Sequence, residues 1–425
     1  MPFALFDHGR LAAARWSRHA SHVRRAPPVE ELDELVDWLC AEMQHGSFDL
    51  VAPTSDHVAF CVAEAHERLG VEPPGQPTGE AVRDCLFKDR FATRMAATPL
   101  PTPPSATPAS FDEARAAAEE LGYPLLVKPR SHVAIGEARG TVVADERQLE
   151  HAFIPFLLAP GRDVALERNR SLHLPLLQRF IAHGDADVFS VVGCLEASGE
   201  VRALGHCVKR TDWPPGVGVG TRFEVVPEQA FTPDALESVR SVLGAGIFEL
   251  EVIRRRSTGE VWSLDLNPRG FGQISLFTAN GRDLPAEWYE SVTGTALPRR
   301  RQTRRTPRYW QMGLPYYTGM AIGLVRGPDR ACLARDLARA VVEPRVGSML
   351  EWRDPGPAVA LCLQTLRHPG GLVRPFLRGR TPPEATHGAP PSPSLVRRPD
   401  VAAAGGCQSA VAADVAMGGE PCGDS

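Results

Sequence analysis

The sequence predicts an α+β protein whose main sheet is built from antiparallel strand pairs. Short apolar strands follow one another between residues 123 and 209, and tight turns separate them. Two further strands, over 246–253 and 261–267, are joined by the turn 256–260. A strand between two helices near the N-terminus indicates a small additional α/β region. The pattern is unlike a doubly wound nucleotide-binding fold.

The first region, residues 1–98, has a βα pattern. A helix over 29–43, a strand over 48–53 and a helix over 56–69 are typical of a small parallel sheet. The usual opening of such a sheet, an apolar strand that ends in a glycine turn, is missing from the pattern. Either the chain starts inside this region or its first unit has diverged.

The second region, residues 99–297, contains most of the predicted strands. The proline-rich segment 98–105 cannot form a helix and predicts an extended connector. Ser110 and Glu113 match a capping box, which predicts a helix ending at Leu121. A helix over 232–243 leads into the last strand pair. The remaining apolar segments predict strands over 123–128, 140–144, 174–181, 188–195 and 201–209.

The composition changes from about residue 298. Amphipathic stretches over 329–342 and 358–366 predict a helical region that extends to about residue 380. Residues 381–425 are rich in Pro, Ala, Gly and Ser and contain almost no aromatic residue. We therefore expect a disordered tail there.

Composition also argues against several classes of function. The chain of 425 residues has 47 basic and 51 acidic residues, so its short arginine clusters indicate solvated surface and no nucleic-acid partner. It lacks the roughly 20 consecutive apolar residues of a spanning helix and the pattern of a signal peptide. Nine cysteines are scattered without a Cys-x-x-Cys pair, which favours reduced thiols. We expect a cytoplasmic protein with no membrane partner, and its oligomeric state stays open.

Oxygen ligands alternate along the last strand pair. Glu251 lies near the middle of one strand, and Asp265 and Asn267 share one face of the other. Oxygen donors without His or Cys suit Mg²⁺, which usually takes further ligands from water and nucleotide phosphates. Arg269 would reach the same face if the strand continued, where it could hold a carboxylate or phosphoryl oxygen. An ordinary hairpin with solvated acids is the alternative.

Cations at the ends of elements are candidates for phosphate binding. Lys128 ends an apolar strand, where a half-buried ammonium needs an anion, and the loop 131–140 after it could lay N–H groups over phosphates. Lys88 opens a helix, and a solvated position would also explain it. Lys209 and Arg210 precede a glycine-rich loop that is neither a Walker loop nor a dinucleotide fingerprint. Such cations suit phosphoryl chemistry, although a surface loop is the alternative.

A third candidate segment follows the predicted strand 174–181. Gln178 lies near the end of that strand, and the backbone after it offers groups for the edge of an adenine ring. The acids Asp185 and Asp187 come directly afterwards and could accept from ribose hydroxyls.

An ordered set of residues between about residues 84 and 297 resembles the ATP-grasp superfamily: Lys88, Lys128, Gln178, Glu251, Asp265 and Asn267. More narrowly, the chain is similar to bacterial proteins described as predicted ATP-grasp carboligases or carboxylate-amine ligases. The shared motifs are the Lys-Asp-Arg-Phe helix start, the Lys-Pro-Arg strand end, the Pro-Pro-Gly-x-Gly-Val-Gly loop and the Asn-Pro-Arg ending.

The resemblance implies an ATP-grasp fold, in which two α+β subdomains clasp ATP. Residues of about 110–176 would form the lid subdomain, and the N-terminal region would be a pre-ATP-grasp domain. The resemblance also implies roles in nucleotide binding. Lys88 and Lys128 would bind phosphates, the backbone of Arg179 and Ile181 would bind adenine, and Asp185 or Asp187 would bind the ribose.

The resemblance also implies an activity. Enzymes of this type activate a carboxylate as an acylphosphate, which an amine then attacks. Small-molecule carboxylate and amine substrates, ATP and Mg²⁺ or Mn²⁺ are therefore expected, with the metal on Glu251, Asp265 and Asn267. Arg269 and one of Lys209 or Arg210 would stabilise developing charge. The alternatives are carboxylation, another acylphosphate ligation, or a catalytically degenerate ATP-binding regulatory protein.

Overall fold

A computed structural model describes most of the chain up to residue 367. The described residues are 3–7, 12–46, 48–135, 140–158, 163–213, 218–298, 307–326, 330–343, 345–348, 350–351 and 353–367. The predicted disordered tail, 381–425, lies outside them, as do parts of the loops 131–140 and 213–220.

The N-terminal region combines a two-stranded parallel sheet with four α-helices. Ser55 accepts from the Val58 N–H and begins the second helix, and Gly70 ends it in the left-handed conformation with φ 64°. The elements are β1 (Phe3–Asp7), β2 (Ala20–Arg25), α1 (Leu32–His45), α2 (Asp56–Leu69), α3 (Gly79–Leu86) and α4 (Lys88–Met95).

Two expectations for this region were wrong. The structure contains an opening strand, β1, whose five residues pair with β2. Residues 48–53 form no strand. Pro53 has no N–H to donate to a ladder, and its carbonyl accepts from the distant Gly270 N–H at 3.1 Å.

A smaller antiparallel sheet follows, with strand order β3-β6-β4-β5. The predicted capping box forms in part, because Ser110 Oγ accepts from the Glu113 N–H at 3.2 Å while the Glu113 carboxylate accepts from the Ala109 N–H at 2.8 Å. The elements are β3 (Ser105–Ala106), α5 (Phe111–Leu121), β4 (Leu125–Pro129), α6 (His132–Ile135), β5 (Thr141–Val143), α7 (Glu146–Leu158), α8 (Asp163–Arg168) and β6 (Pro175–Arg179).

The main sheet has seven strands in the order β11-β10-β7-β8-β9-β12-β13. All neighbours are antiparallel except the last pair, which confirms the predicted α+β class. Its first part consists of β7 (Ala186–Leu195), β8 (Val201–Trp213), β9 (Val219–Val225), α9 (Thr232–Leu243), β10 (Gly246–Arg255), β11 (Val261–Asn267), α10 (Ile274–Ala279) and α11 (Leu284–Thr293).

Strand β9 was not predicted, because its glycines suggested a loop. Gly220 lies within it, and a Cβ at this position would overlap the Phe223 ring. The glycine therefore makes room for an aromatic side chain.

In the C-terminal region, the helices predicted over 329–342 and 358–366 form as Arg330–Val342 and Gly356–Arg367, and two short strands that were not predicted accompany them. Two of its strands extend the main sheet, and its last described helix packs on the short helix Ala13–Trp16. The elements are β12 (Tyr309–Gln311), α12 (Gly313–Arg326), α13 (Arg330–Val342), β13 (Arg345–Gly347) and α14 (Gly356–Arg367).

The helices and the cysteines of the described residues bear on two further expectations. None of their helices has the length and apolar character that crossing a membrane requires. Six cysteines between Cys40 and Cys362 are described as free thiols, as the scattered spacing predicts.

The core beneath the main sheet leads to a prediction about stability. Phe248 on β10 is 0% exposed and belongs to the cluster that packs α4 and α9 on the sheet. Phe248→Ala should lower the free energy of unfolding by about 3–5 kcal/mol, because the lost ring leaves a cavity. Urea denaturation measures the change.

Leu158→Ala is the control for this measurement. Leu158 is 79% exposed, so its loss should change the free energy of unfolding by less than about 0.5 kcal/mol. Equal effects of the two substitutions would contradict the described packing.

Candidate functional site

One cavity of ≈ 650 Å³ brings together side chains from the smaller sheet, the main sheet and α4. The start of α4, strands β4 and β6 and the face of the main sheet all contribute to its lining. Ten predicted site residues line it: Lys88, Lys128, Gln178, Arg179, Ile181, Lys209, Glu251, Asp265, Asn267 and Arg269.

Strand register explains the floor of the cavity. Ile253 lies opposite Val188, and Lys209 lies opposite Phe223. Directly opposite residues share one face of an antiparallel sheet, so these side chains point to the same side. The side chains of Ile181, Val188 and Ile253, each about 5% exposed, form an apolar wall. The floor therefore passes from an apolar end to a charged centre at Lys209.

Four oxygen-bearing side chains face the cavity from the β10–β11 ribbon. Glu251 pairs with Asp265, and Glu249 pairs with Asn267. The expectation that Glu251, Asp265 and Asn267 share a face is met by this register. The sequence analysis did not identify Glu249. Its position two residues before Glu251 was a signal, because residues two apart in a strand share a face.

Glu249 is held by three donors. Its Oε1 accepts from Ser190 Oγ at 2.8 Å and from the Gln273 amide, and its Oε2 accepts from Asn267 Nδ2 at 3.1 Å. Burial raises the pKa of Glu249 to about 7, and the neighbouring Glu251 carboxylate adds to the shift. A buried carboxylate with this many donors is a fixed part of the site.

Ammonium groups neutralise the other acids of the ribbon. Lys88 Nζ bonds Asp265 Oδ1, and Lys209 Nζ lies 3.7 Å from Glu251 Oε1. Within the described residues, no group of three or more His, Cys, Asp or Glu side chains is close enough to hold a metal ion. The donor chemistry nevertheless suits a hard cation, because every ribbon ligand is an oxygen. Metal binding by this ribbon stays a prediction.

The lysines of this chain are confined to the cavity. The sequence contains three, Lys88, Lys128 and Lys209, and every other basic residue among the 47 is an arginine. All three lysines line the cavity. An ammonium is a compact point charge on a flexible stem, unlike the planar guanidinium. This distribution indicates that the cavity needs small cationic groups.

The cavity shifts the pKa of its charged groups in different directions. Burial, with Lys88 nearby, lowers the pKa of Lys128 to about 8. Burial also acts to lower the pKa of Lys209, but the Glu251 and Asp212 carboxylates outweigh it and raise that pKa. For Asp265, burial acts to raise the pKa, but Lys88 and Lys128 outweigh it and lower the value. Asp265 is therefore ionised at neutral pH.

Three predicted site residues do not reach the cavity, and those assignments are corrected. Arg210 lies at an irregularity in the pairing of β8 with β9 and bonds Glu224 at 2.6 Å instead of lining the cavity. The Asp185 carboxylate accepts from the Ser257 N–H at 3.0 Å, and Asp187 accepts from Arg256 Nε at 3.1 Å. A turn after β10 thus engages both predicted ribose ligands.

Two further residues were missed and line the cavity. Asp56, at the start of α2, accepts from Arg269 Nε at 2.5 Å. Gln273, which follows the Asn-Pro-Arg motif, bonds Glu249. Neither contact has a signal in the sequence, because Asp56 and Arg269 lie 213 residues apart.

The lowered pKa of Lys128 gives a prediction about pH. Its folded pKa lies below its unfolded pKa, so the buried charge costs stability at neutral pH, and this cost falls as pH rises from about 8 towards 10.5. Lys128→Met should therefore be more stable than the wild type at pH 7, and the difference should shrink by about 1–2 kcal/mol at pH 9.5. Urea denaturation at both pH values measures it.

Arg115→Met is the control for this experiment. It removes an exposed arginine side chain far from the cavity, so the difference in the free energy of unfolding from the wild type should be the same at both pH values. A constant difference between Lys128→Met and the wild type would contradict the described burial of the ammonium.

Comparison with known proteins gives partial matches in sequence and broader matches in fold. No family model matches the chain. A stretch of 215 residues, 49% of this chain, is 31% identical to the carbamoyl phosphate synthase large chain of Methanospirillum hungatei. It covers 19% of that relative. The carbamoyl phosphate synthase large chain of Methanoculleus marisnigri is 29% identical over 47% of this chain and 17% of its own length. The chain thus spans less than a fifth of these relatives.

Solved structures match the fold over a larger share. Biotin carboxylase from Campylobacter jejuni, in an ATP-analogue complex, superposes with a TM-score of 0.53 at 15% identity and covers 69% of this chain and 72% of its own. The biotin carboxylase domain of Hydrogenobacter thermophilus 2-oxoglutarate carboxylase gives 0.52 at 18% identity, covering 72% and 73%. The relatives and these structures are ATP-grasp proteins. The predicted ATP-grasp fold is therefore confirmed for this chain.

Proposed function

We propose that this protein is an ATP- and Mg²⁺-dependent ligase that activates a carboxylate as an acylphosphate and joins it to an amine. The observation that carries the proposal is the set of groups in one cavity. Along β10 the apolar Ile253 is followed on the same face by the acids Glu251 and Glu249, and Lys88 and Lys209 contact acids of the β10–β11 ribbon. A nucleoside triphosphate likewise joins an apolar ring to an anionic chain that binds cations.

The apolar end suits an adenine ring. Ile181, Val188 and Ile253 form its wall, and Leu264 packs against them. The backbone at Arg179 and Ile181 lies beside this wall and is our candidate for the hydrogen bonds to the ring edge. Lys128, next along the cavity, donates to Gln178 Oε1 at 3.1 Å. Lys128 is therefore our candidate for binding a phosphate beside the adenine end.

The ribbon is our candidate metal site. Glu251, Asp265 and Asn267 would hold Mg²⁺ or Mn²⁺, and the bound ion would neutralise phosphate oxygens. Binding of the phosphates would require Lys88 to exchange its contact with Asp265 for a phosphate oxygen. Lys209 and Arg269 border the ribbon and would stabilise charge that develops during phosphoryl transfer and amine attack.

The comparisons support this proposal at the level of the reaction class. The relatives are carbamoyl phosphate synthase chains, and the Hydrogenobacter structure holds MgADP and bicarbonate. Bicarbonate is therefore among the carboxylates that deserve testing, which keeps carboxylation as the second candidate. The compartment, for which the sequence predicts the cytoplasm, stays a prediction.

Phosphate release tests the reaction. Wild-type protein should release phosphate from ATP and Mg²⁺ only when a suitable carboxylate and amine are both present, in a screen of amino acids, small carboxylates and bicarbonate taken in pairs. Asp265→Ala should lower this rate by at least about 100-fold, because the ribbon loses a metal ligand and Lys88 loses its anion.

Asp185→Ala is the matched control, since Asp185 lies outside the cavity and bonds Ser257. It should keep the wild-type rate and the wild-type KM for ATP. Retained turnover in Asp265→Ala would show that the metal assignment is wrong, and loss of turnover in Asp185→Ala would restore the ribose assignment.

Amine labelling tests nucleotide binding without requiring turnover. Acetic anhydride acylates amines, and the three lysine side chains of this protein all line the cavity. ATP and Mg²⁺, at about ten times the Kd, should slow labelling of Lys88 and Lys128 about tenfold. Mass spectrometry of the digested protein reads each position.

The same experiment separates the remaining alternatives. The N-terminal amine is the internal control and should react at the same rate with and without nucleotide. Protection without phosphate release in any substrate pair would favour a regulatory nucleotide-binding protein. Unchanged labelling of both lysines would contradict the proposed nucleotide site.

A further inference from the structure

Besides Lys88, the N-terminal region contributes Asp56 to the cavity. Ser55 caps α2, so that Asp56 becomes the first helical residue. Two contacts fasten this segment to the chain after β11: the Gly270 N–H donates to the Pro53 carbonyl at 3.1 Å, and Arg269 Nε donates to Asp56 Oδ1 at 2.5 Å. The segment that failed to form the expected strand is thus fixed against the Asn-Pro-Arg motif.

Arg269 is oriented by three acceptors. Besides Asp56, its Nη1 donates to the Gly270 carbonyl at 3.0 Å and its Nη2 donates to Asn267 Oδ1 at 3.1 Å. A guanidinium has five N–H groups. The three described contacts use the Nε–H and one N–H of each Nη atom, so each Nη atom keeps one further N–H group for a ligand. Two N–H groups on neighbouring nitrogens match the two oxygens of a carboxylate or phosphoryl group.

We propose that Asp56 is a positioning residue that holds Arg269 in the orientation required for substrate binding and acyl transfer. The inference rests on the proposed function, in which Arg269 stabilises charge on the reacting group. Asp56 fixes the Nε side of the guanidinium, so that the Nη side faces the cavity. Because Nη2 also bonds Asn267, a change in this orientation would reach the β10–β11 ribbon as well.

Burial and charge favour a functional role for the pair over a purely structural one. The side chains of Arg269 and Asp56 are 18% and 24% exposed, and both line the cavity. Because both side chains keep contact with water, the ion pair is partly screened and contributes less to stability than a fully buried pair would. An acid in the first turn of a helix is favourable on its own, so Asp56 does not need Arg269 as a partner for folding.

The test compares Asp56→Asn with Asp37→Asn. Asp37 on α1 accepts from Arg68 at the same distance, 2.5 Å, and does not line the cavity. Asp56→Asn should lower kcat about 10- to 100-fold with an unchanged KM for ATP, because misplacing a catalytic group affects the reaction step. Asp37→Asn should leave kcat unchanged, and neither substitution should change the melting temperature appreciably.

Arg269→Lys and the double variant separate positioning from an independent contribution of Asp56. If Asp56 acts through Arg269, then adding Asp56→Asn to Arg269→Lys should cause no further loss of kcat. The inference would be overturned if the double variant lost kcat by the product of the two single losses, or if Asp56→Asn kept the wild-type kcat.

A readout without turnover distinguishes this inference from the proposed function. The Arg269 Nε–H resonance, assigned in NMR spectra by its absence from Arg269→Lys, should exchange with water faster in Asp56→Asn than in wild type or Asp37→Asn. Faster exchange in a protein that shows no turnover would retain the positioning role and reject the ligase. Equal exchange rates would reject the positioning role, whether or not the protein is a ligase.

Discussion

The antiparallel register of β10 and β11 is the constraint on which the site depends. It places Glu249, Glu251, Asp265 and Asn267 on one face, where single residues of α4 and β8 supply the ammonium groups that neutralise them. A shift of β11 by one residue would turn its two ligands to the opposite face of the sheet. Lys88 would then face the cavity without its carboxylate. The register therefore sets both the ligand geometry and the charge balance of the cavity.

Local signals in the sequence were sufficient for several elements. The helices Asp56–Leu69 and Thr232–Leu243 have the predicted bounds, because caps and apolar periodicity act over a few residues. The strands β1, β9, β12 and β13 were not predicted, since they are short or contain glycine and polar residues. Their strand character comes from pairing with neighbours that are distant in sequence, as with β12 beside β9.

The candidate site shows the same limit at the level of single side chains. Lys209 and Arg210 are adjacent cations, and the irregular pairing of β8 with β9 decides which one enters the cavity. Asp185 and Asp187 had a suitable chemistry, but a turn more than 65 residues away supplies their partners. Glu249 could have been found from its spacing to Glu251. Asp56 could not, because only the fold brings it to Arg269.

The restriction of lysine to the cavity has a consequence for sequence change in this protein. On the solvated surface, arginine serves as the cation throughout, which indicates that exposed positions accept a bulky, permanently protonated head group. The same exchange at Lys128 would introduce a wider planar group that cannot release its proton near pH 8. A change from lysine to arginine at this position would therefore obstruct the space between the two sheets.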